Sequence, residues 1–183
     1  TQRAPEEFLT SDFYFNFGAS CERAGQFDKA ISRLQKAIAL DPKNAEALNY
    51  AAYMWAEKGI NLDLAFKYIK RALLIDPENG AFLDTLAWVY HQQGDHERAL
   101  ASIRLAIVFM PYDPTVLDHL GDIHFALGNG EEAAAAWRQS LAVDPASKTV
   151  REKYIDLGFD PAEVLPCAPP VLPAEEEEPD YSE

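Results

Sequence analysis

Four glycines, Gly25, Gly59, Gly94 and Gly128, stand 34, 35 and 34 residues apart, and four prolines, Pro42, Pro77, Pro111 and Pro145, repeat at 35, 34 and 34. A fixed period of this length means that one supersecondary unit has been copied along the chain, and such a unit buries its apolar face only by stacking on its neighbours. A tandem array offers extended surfaces rather than an enclosed cleft, so function is to be sought on a surface.

Between each glycine and proline, small residues recur at fixed places: Ala30, Ala65, Ala99 and Ala133, then Ala37, Ala72, Ala106 and Ser140. Apolar residues between them, such as Ile31, Leu34 and Ile38, or Leu100, Ile103 and Ile107, fall at i, i+3 and i+7, the stripe of an amphipathic helix, here helix B of each unit. The stretch before each glycine carries its own stripe, as at Leu83, Leu86, Ala87 and Tyr90, and is helix A. Glycine after helix A allows the left-handed conformation that reverses the chain. Proline pushes the residue before it out of the α region, so Asp41-Pro42, Asp76-Pro77, Met110-Pro111 and Asp144-Pro145 end each helix B.

The pattern predicts helices over 12–24, 27–40, 44–57, 62–75, 79–93, 96–109, 113–127 and 130–143, with a ninth over 147–157. The ninth carries Val150, Tyr154 and Leu157 on one face and Lys148, Arg151, Glu152 and Lys153 elsewhere, the pattern of a polar-backed cap. The second unit has one extra residue between Gly59 and Ala65, which belongs in the loop.

Net charge is −14, but eight of the 30 acidic residues fall in 159–183, where there is no Lys or Arg. The body keeps 16 basic and 22 acidic residues, a balance that argues against nucleic acid and against anionic membrane surfaces as partners. Nothing approaches the run of about 20 apolar residues that a membrane span requires, and the chain reads as soluble. Cys21 and Cys167 have neither metal-ligand nor redox spacing; Cys21 reads as a small buried hydrophobe. The sequence starts at Thr1, as expected of a processed form or a piece of a longer protein.

Together these positions resemble the tetratricopeptide repeat. Tyr14, Phe17, Gly18, Ala30, Leu34, Ala37 and Pro42 carry the resemblance in the first unit, and Leu117, Leu120, Gly121, Ala133, Trp137 and Pro145 in the fourth. It covers 11–145 in units of about 11–44, 45–79, 80–113 and 114–147, after a lead-in at 1–10 and before a capping helix at 147–158. It implies an all-α fold, a right-handed α-solenoid of four antiparallel helix pairs plus the cap, serving as a non-enzymatic scaffold for protein–protein interaction. Cys21, Trp55 and His124 where Tyr is usual, and Ser140 where Ala is usual, read as packing variants.

In such arrays the A helices line the inner face, and carrying over the places that point into it gives an aromatic and acidic surface. The candidate partner-binding residues are Asn49, Tyr53, Asp84, Trp88, His91, Asp118, Asp122 and Phe125. Tyr53, Trp88 and Phe125 are expected to anchor a partner's helix or extended segment, and the aspartates to favour Lys or Arg on it. With Arg23 the one cation carried onto this face, the basic clamp by which one subclass holds an acidic peptide end is missing. The bland reading has the aromatics packed between A helices and the carboxylates solvated. The alternative function is a structural or assembly module, part of a longer solenoid or a self-associating subunit, with Phe13 and Phe17 exposed at the N-terminal edge.

The histidines form two pairs, His91 with His96 and His119 with His124, each five apart where a helical metal pair needs four, so no metal or cofactor is expected. His124 reads as packed in the core and His96 as solvent-facing. No nucleophile motif or phosphate-cradling loop is present. Residues 159–183, rich in Pro and carrying the Glu175–Glu178 run, read as a disordered or extended tail.

Overall fold

A computed structural model describes residues 9–164. Within them the chain forms α1 (Ser11–Arg23), α2 (Phe27–Leu40), α3 (Ala45–Glu57), α4 (Leu62–Ile75), α5 (Gly80–Gln92), α6 (His96–Phe109), α7 (Pro114–Ala126), α8 (Gly130–Val143) and α9 (Lys148–Asp156). The B helices α2, α4, α6 and α8 match the predicted spans. The A helices and α9 differ by a residue at their ends, and most of the starts differ because the residue before each is a cap. Asn44, Asn79 and Asp113 keep extended backbones and accept hydrogen bonds from the first free amides of α3, α5 and α7 through their side chains.

Each hairpin turn repeats one geometry. Gly94 adopts φ +79°, and the Asp95 amide then reaches back to the Tyr90 carbonyl at 2.9 Å, closing the end of α5. The extra residue of the second unit sits in its loop as expected, with Asn61 in the left-handed region at φ +50° beside Gly59.

The small residues lie where paired helices cross: Ala30, Ala65, Ala99 and Ala133 are fully buried, as are Ala37, Ala72 and Ala106. Ser140 replaces the fourth alanine without an orphaned hydroxyl, because its Oγ donates to the Pro114 carbonyl at 2.7 Å. Trp137 of α8 lies against the α-carbon of Gly121 on α7, a contact that leaves no room for a side chain at 121. Val150 and Tyr154 of α9 close the last core layer with Trp137 and Leu141.

Part of the expected tail lies within the described residues: Phe159, 42% exposed, stacks on Tyr154 at 5.1 Å between ring centroids, and a 3₁₀ turn follows at Pro161–Glu163. The rest of the expected tail, 165–183, and the lead-in at 1–8 lie outside the described residues. Lys153, expected on the polar back of the cap, is instead directed at α7, as described next.

Candidate partner-binding face

α3 packs directly on α5, and α5 on α7, so successive A helices form one continuous face. Helical spacing sets Asp84, Trp88 and His91 on one side of α5, and Asp118 and Asp122 on one side of α7. The fold brings these five together through two residues the inner-face pattern did not include, His119 and Lys153.

Asp84 accepts a hydrogen bond from His119 Nδ1 at 2.8 Å, both residues being buried. His119 lies in parallel stacking on Trp88, with ring centroids 4.1 Å apart and 13° between planes. Trp88 also stacks on His91, at 4.7 Å and 6°, and His91 tilts against His96 at 4.9 Å. His96 is therefore half-buried rather than solvent-facing, because its ring covers His91. His124 is buried as expected, its Nδ1 3.5 Å from the Asn129 side-chain amide.

On α7, Lys153 of α9 donates to Asp118 at 2.8 Å and to Asp122 at 2.7 Å, and its ammonium lies 5.8 Å from the Trp137 ring centroid. The acidic row is thus internally paired: Asp84 by His119, Asp118 and Asp122 by Lys153. This corrects the expectation of a free acidic row with Arg23 as the one cation. Pairing is physically required, since partly buried carboxylates side by side repel and lose hydration.

A signal for these partners is present in the sequence. Asp84–His119 and Asp118–Lys153 are each separated by 35 residues, so one place in a unit meets the next place along in the following unit. Phe15 and Tyr50, also 35 apart, repeat the relation as an edge-to-face pair at 6.0 Å.

The remaining candidates are distributed as follows. Tyr53 is half-buried; its hydroxyl is pushed up by burial and by the charges of Glu57, Asp84 and Glu22. It lines a depression of about 290 Å³ with Glu22, Phe27, Met54, Glu57 and Lys58. Asn49 lies one turn before Tyr53 on α3. Phe125 is 56% exposed and packs on Trp137 at 5.9 Å, at the α8 side of α7. Three buried atoms on this face, Asn49 Oδ1, Trp88 Nε1 and His91 Nδ1, have no hydrogen-bond partner among the described residues.

Charge at the stack depends on pH in two opposed ways. Burial pushes the His119 imidazole down, but the Asp84 charge and hydrogen bond, with Asp118 and Glu57, carry it above its ordinary value. Its stabilisation is complete below the unfolded value of about 6.5 and is lost as pH rises through the folded one. Burial, with His96 and His119 nearby, lowers His91 to about 4. Its contribution is complete above about 6.5 and is lost as pH falls towards about 4. Replacing His91 by Asn is therefore expected to flatten the fall in melting temperature over that acid interval; an unchanged acid slope would contradict the assignment.

Among the described residues no helix is long and apolar enough to cross a membrane, and no group of three or more His, Cys, Asp or Glu is placed to hold a metal ion.

Stacked helix hairpins with small crossing residues and a continuous A-helix face define a helical-repeat scaffold of the kind that mediates protein–protein interaction. The chain belongs to the tetratricopeptide repeat family: the family's TPR repeat pattern matches residues 23–59, and its tetratricopeptide repeat pattern matches 80–104 and 114–139. No curated protein matches the sequence. Among solved structures, PilF of Pseudomonas aeruginosa is similar at 23% identity and TM-score 0.69, over 80% of this chain and 67% of that one. MamA is similar at 18% and 0.62, over 76% and 81%. A chain of the APC/C hetero-tetramer Cut9–Hcn1 is similar at 17% and 0.73, over 81% of this chain but 30% of that one. At these identities the likeness is one of fold.

Proposed function

We propose that the A-helix face centred on Trp88 binds a segment of a partner protein, and that the molecule acts as an adaptor rather than an enzyme. The observation that carries this reading is the environment of Trp88: its ring is stacked on two imidazoles while its buried indole N–H has no acceptor. A buried donor left unpaired costs about 1–3 kcal/mol, so a shift of the ring that brings this N–H to a partner carbonyl is rewarded beyond the contact area itself. Asn49 Oδ1, an acceptor, supports the same reading from α3.

Internal pairing of the aspartates moves the preference for a basic ligand towards Glu22 and Glu57 at the depression beside Tyr53. A segment with an apolar stretch over Trp88 and a Lys or Arg at that depression fits both features.

The test is selection from a displayed peptide library on the full chain, followed by titration of the enriched peptide. Trp88→Ala is expected to weaken binding by about 2 kcal/mol, roughly 30-fold in Kd, with helical content unchanged. Undiminished affinity would overturn the reading.

A second reading, assembly through the N-terminal edge, rests on Phe13 and Phe17, which are 45% and 42% exposed and pack on one another at 6.1 Å. Phe17 is partly covered by the Arg33 guanidinium at 5.1 Å, which favours the adaptor.

A further inference from the structure

Charge is segregated between the two sides of the array. The A helices α1, α3, α5 and α7 carry seven acidic residues and one basic, Arg23. The B helices carry no acidic residue beyond their first turns, but seven basic ones: Arg33, Lys36, Lys67, Lys70, Arg71, Arg104 and Arg138. The outer side of these helices is also unusually apolar. Leu74 on α4 is 84% exposed, and Leu105 and Val108 on α6 are 54% and 71% exposed.

These residues occupy equivalent places in successive units. Counting from the buried Ala72, Ala106 and Ser140, the strip Lys70, Arg71 and Leu74 of α4, in which Arg71 is half-buried and donates to the Pro42 carbonyl at 2.7 Å, corresponds to Arg104, Leu105 and Val108 of α6 and to Arg138, Gln139 and Ala142 of α8. On α8 that strip is already in use: Glu163 and Val164 line one depression with Arg138, Gln139 and Ala142. The described chain therefore ends on the outer side of α8, with matching uncovered strips on α6 and α4.

The sequence that follows has the complementary character in the right order. Apolar Val171 and Leu172 come first, then Glu175–Glu178, Asp180 and Glu183, and 165–183 contains no Lys or Arg. A proline-rich segment spans about 3.1 Å per residue, so Val171 lies within about 20 Å of Val164 and Glu175 within about 35 Å. α8 and α6 each pack on α7, and α6 and α4 each on α5, so steps of about 10 Å between packed helices put α6 within about 20 Å of α8 and α4 within about 40 Å, the reaches of Val171 and of Glu178.

We propose that the chain's own residues 165–183 run across the outer side of the B helices, Val171 and Leu172 covering Leu105 and Val108, and the Glu175–Glu178 run facing Lys67, Lys70 and Arg71. The arrangement covers the apolar strip of α6 and sets four carboxylates against three cations of α4. It also keeps the acidic segment off the A-helix face, where Glu22 and Glu57 would repel it. This docking is independent of the A-helix reading.

The test uses the full chain with Cys167→Ser and Ser182→Cys and a nitroxide at position 182; Cys21 is 6% exposed and protected from labelling. The expected result is loss of the amide signals of Lys67 and Lys70, with those of Tyr53 and Trp88 retained. Val171→Asp with Leu172→Asp should restore the lost signals, and so should raising salt from about 0.1 M to about 1 M, which shortens the screening length from about 10 Å to about 3 Å. Retained α4 signals, or broadening on the A-helix face, would overturn the proposal. So would broadening of equal strength between separately labelled molecules, which would assign the outer face to a second copy.

Discussion

Replacing His119 by Leu is expected to lower folding stability by about 3–5 kcal/mol at neutral pH, the cost of stranding a buried charge. Leucine fills much the same volume beside Trp88, so a cavity is not the main term. The loss arises because Asp84 is buried and His119 is the partner its side chain has among the described residues. Two further results would identify that cause. Asp84→Asn alone should be mild, because an amide oxygen can still accept from His119 Nδ1. The double variant Asp84→Leu with His119→Leu should be more stable than His119→Leu, since replacing both members of a buried pair is often neutral. Equal losses in the single and double variants, measured by denaturant unfolding, would show that packing rather than charge governs the site.

Gly121→Ala is expected to cost about 3 kcal/mol, at the upper end of ordinary overpacking. Its added methyl would meet the indole of Trp137. That ring is 3% exposed and held between α7 and α9, so it cannot swing aside without opening the last core layer. The effect should therefore spread to the cap, loosening the contact of Lys153 with Asp118 and Asp122. Trp137→Leu in the same chain should recover part of the loss by making room. A Gly121→Ala protein as stable as the parent would contradict the close α7–α8 packing.

The helices and their order were legible because each turn is punctuated by residues with few conformational choices. Gly94 and its counterparts take a left-handed turn, the prolines cannot continue a helix, and the buried alanines mark the crossings. The A-helix ends were off by a residue at the caps, where Asn44, Asn79 and Asp113 join the chain to the helix without being helical.

The face was less legible. Its residues were inferred from positions within single units, whereas its chemistry depends on pairs that cross between units. Asp84 and Asp118 look like free acids within their own helices, and only the offset of 35 residues reveals His119 and Lys153 as their partners. The same limit explains Phe125, whose neighbour is Trp137 on the paired helix rather than Trp88 on the preceding A helix.

The indole N–H resonance of Trp88, followed while a library-selected peptide is titrated into the full chain, tests the binding face most directly. The account predicts a large progressive shift of that signal as its proton gains an acceptor, with the buried Trp55 indole unmoved and the shift abolished with binding in Trp88→Ala. Saturable binding that leaves the Trp88 resonance in place would contradict it.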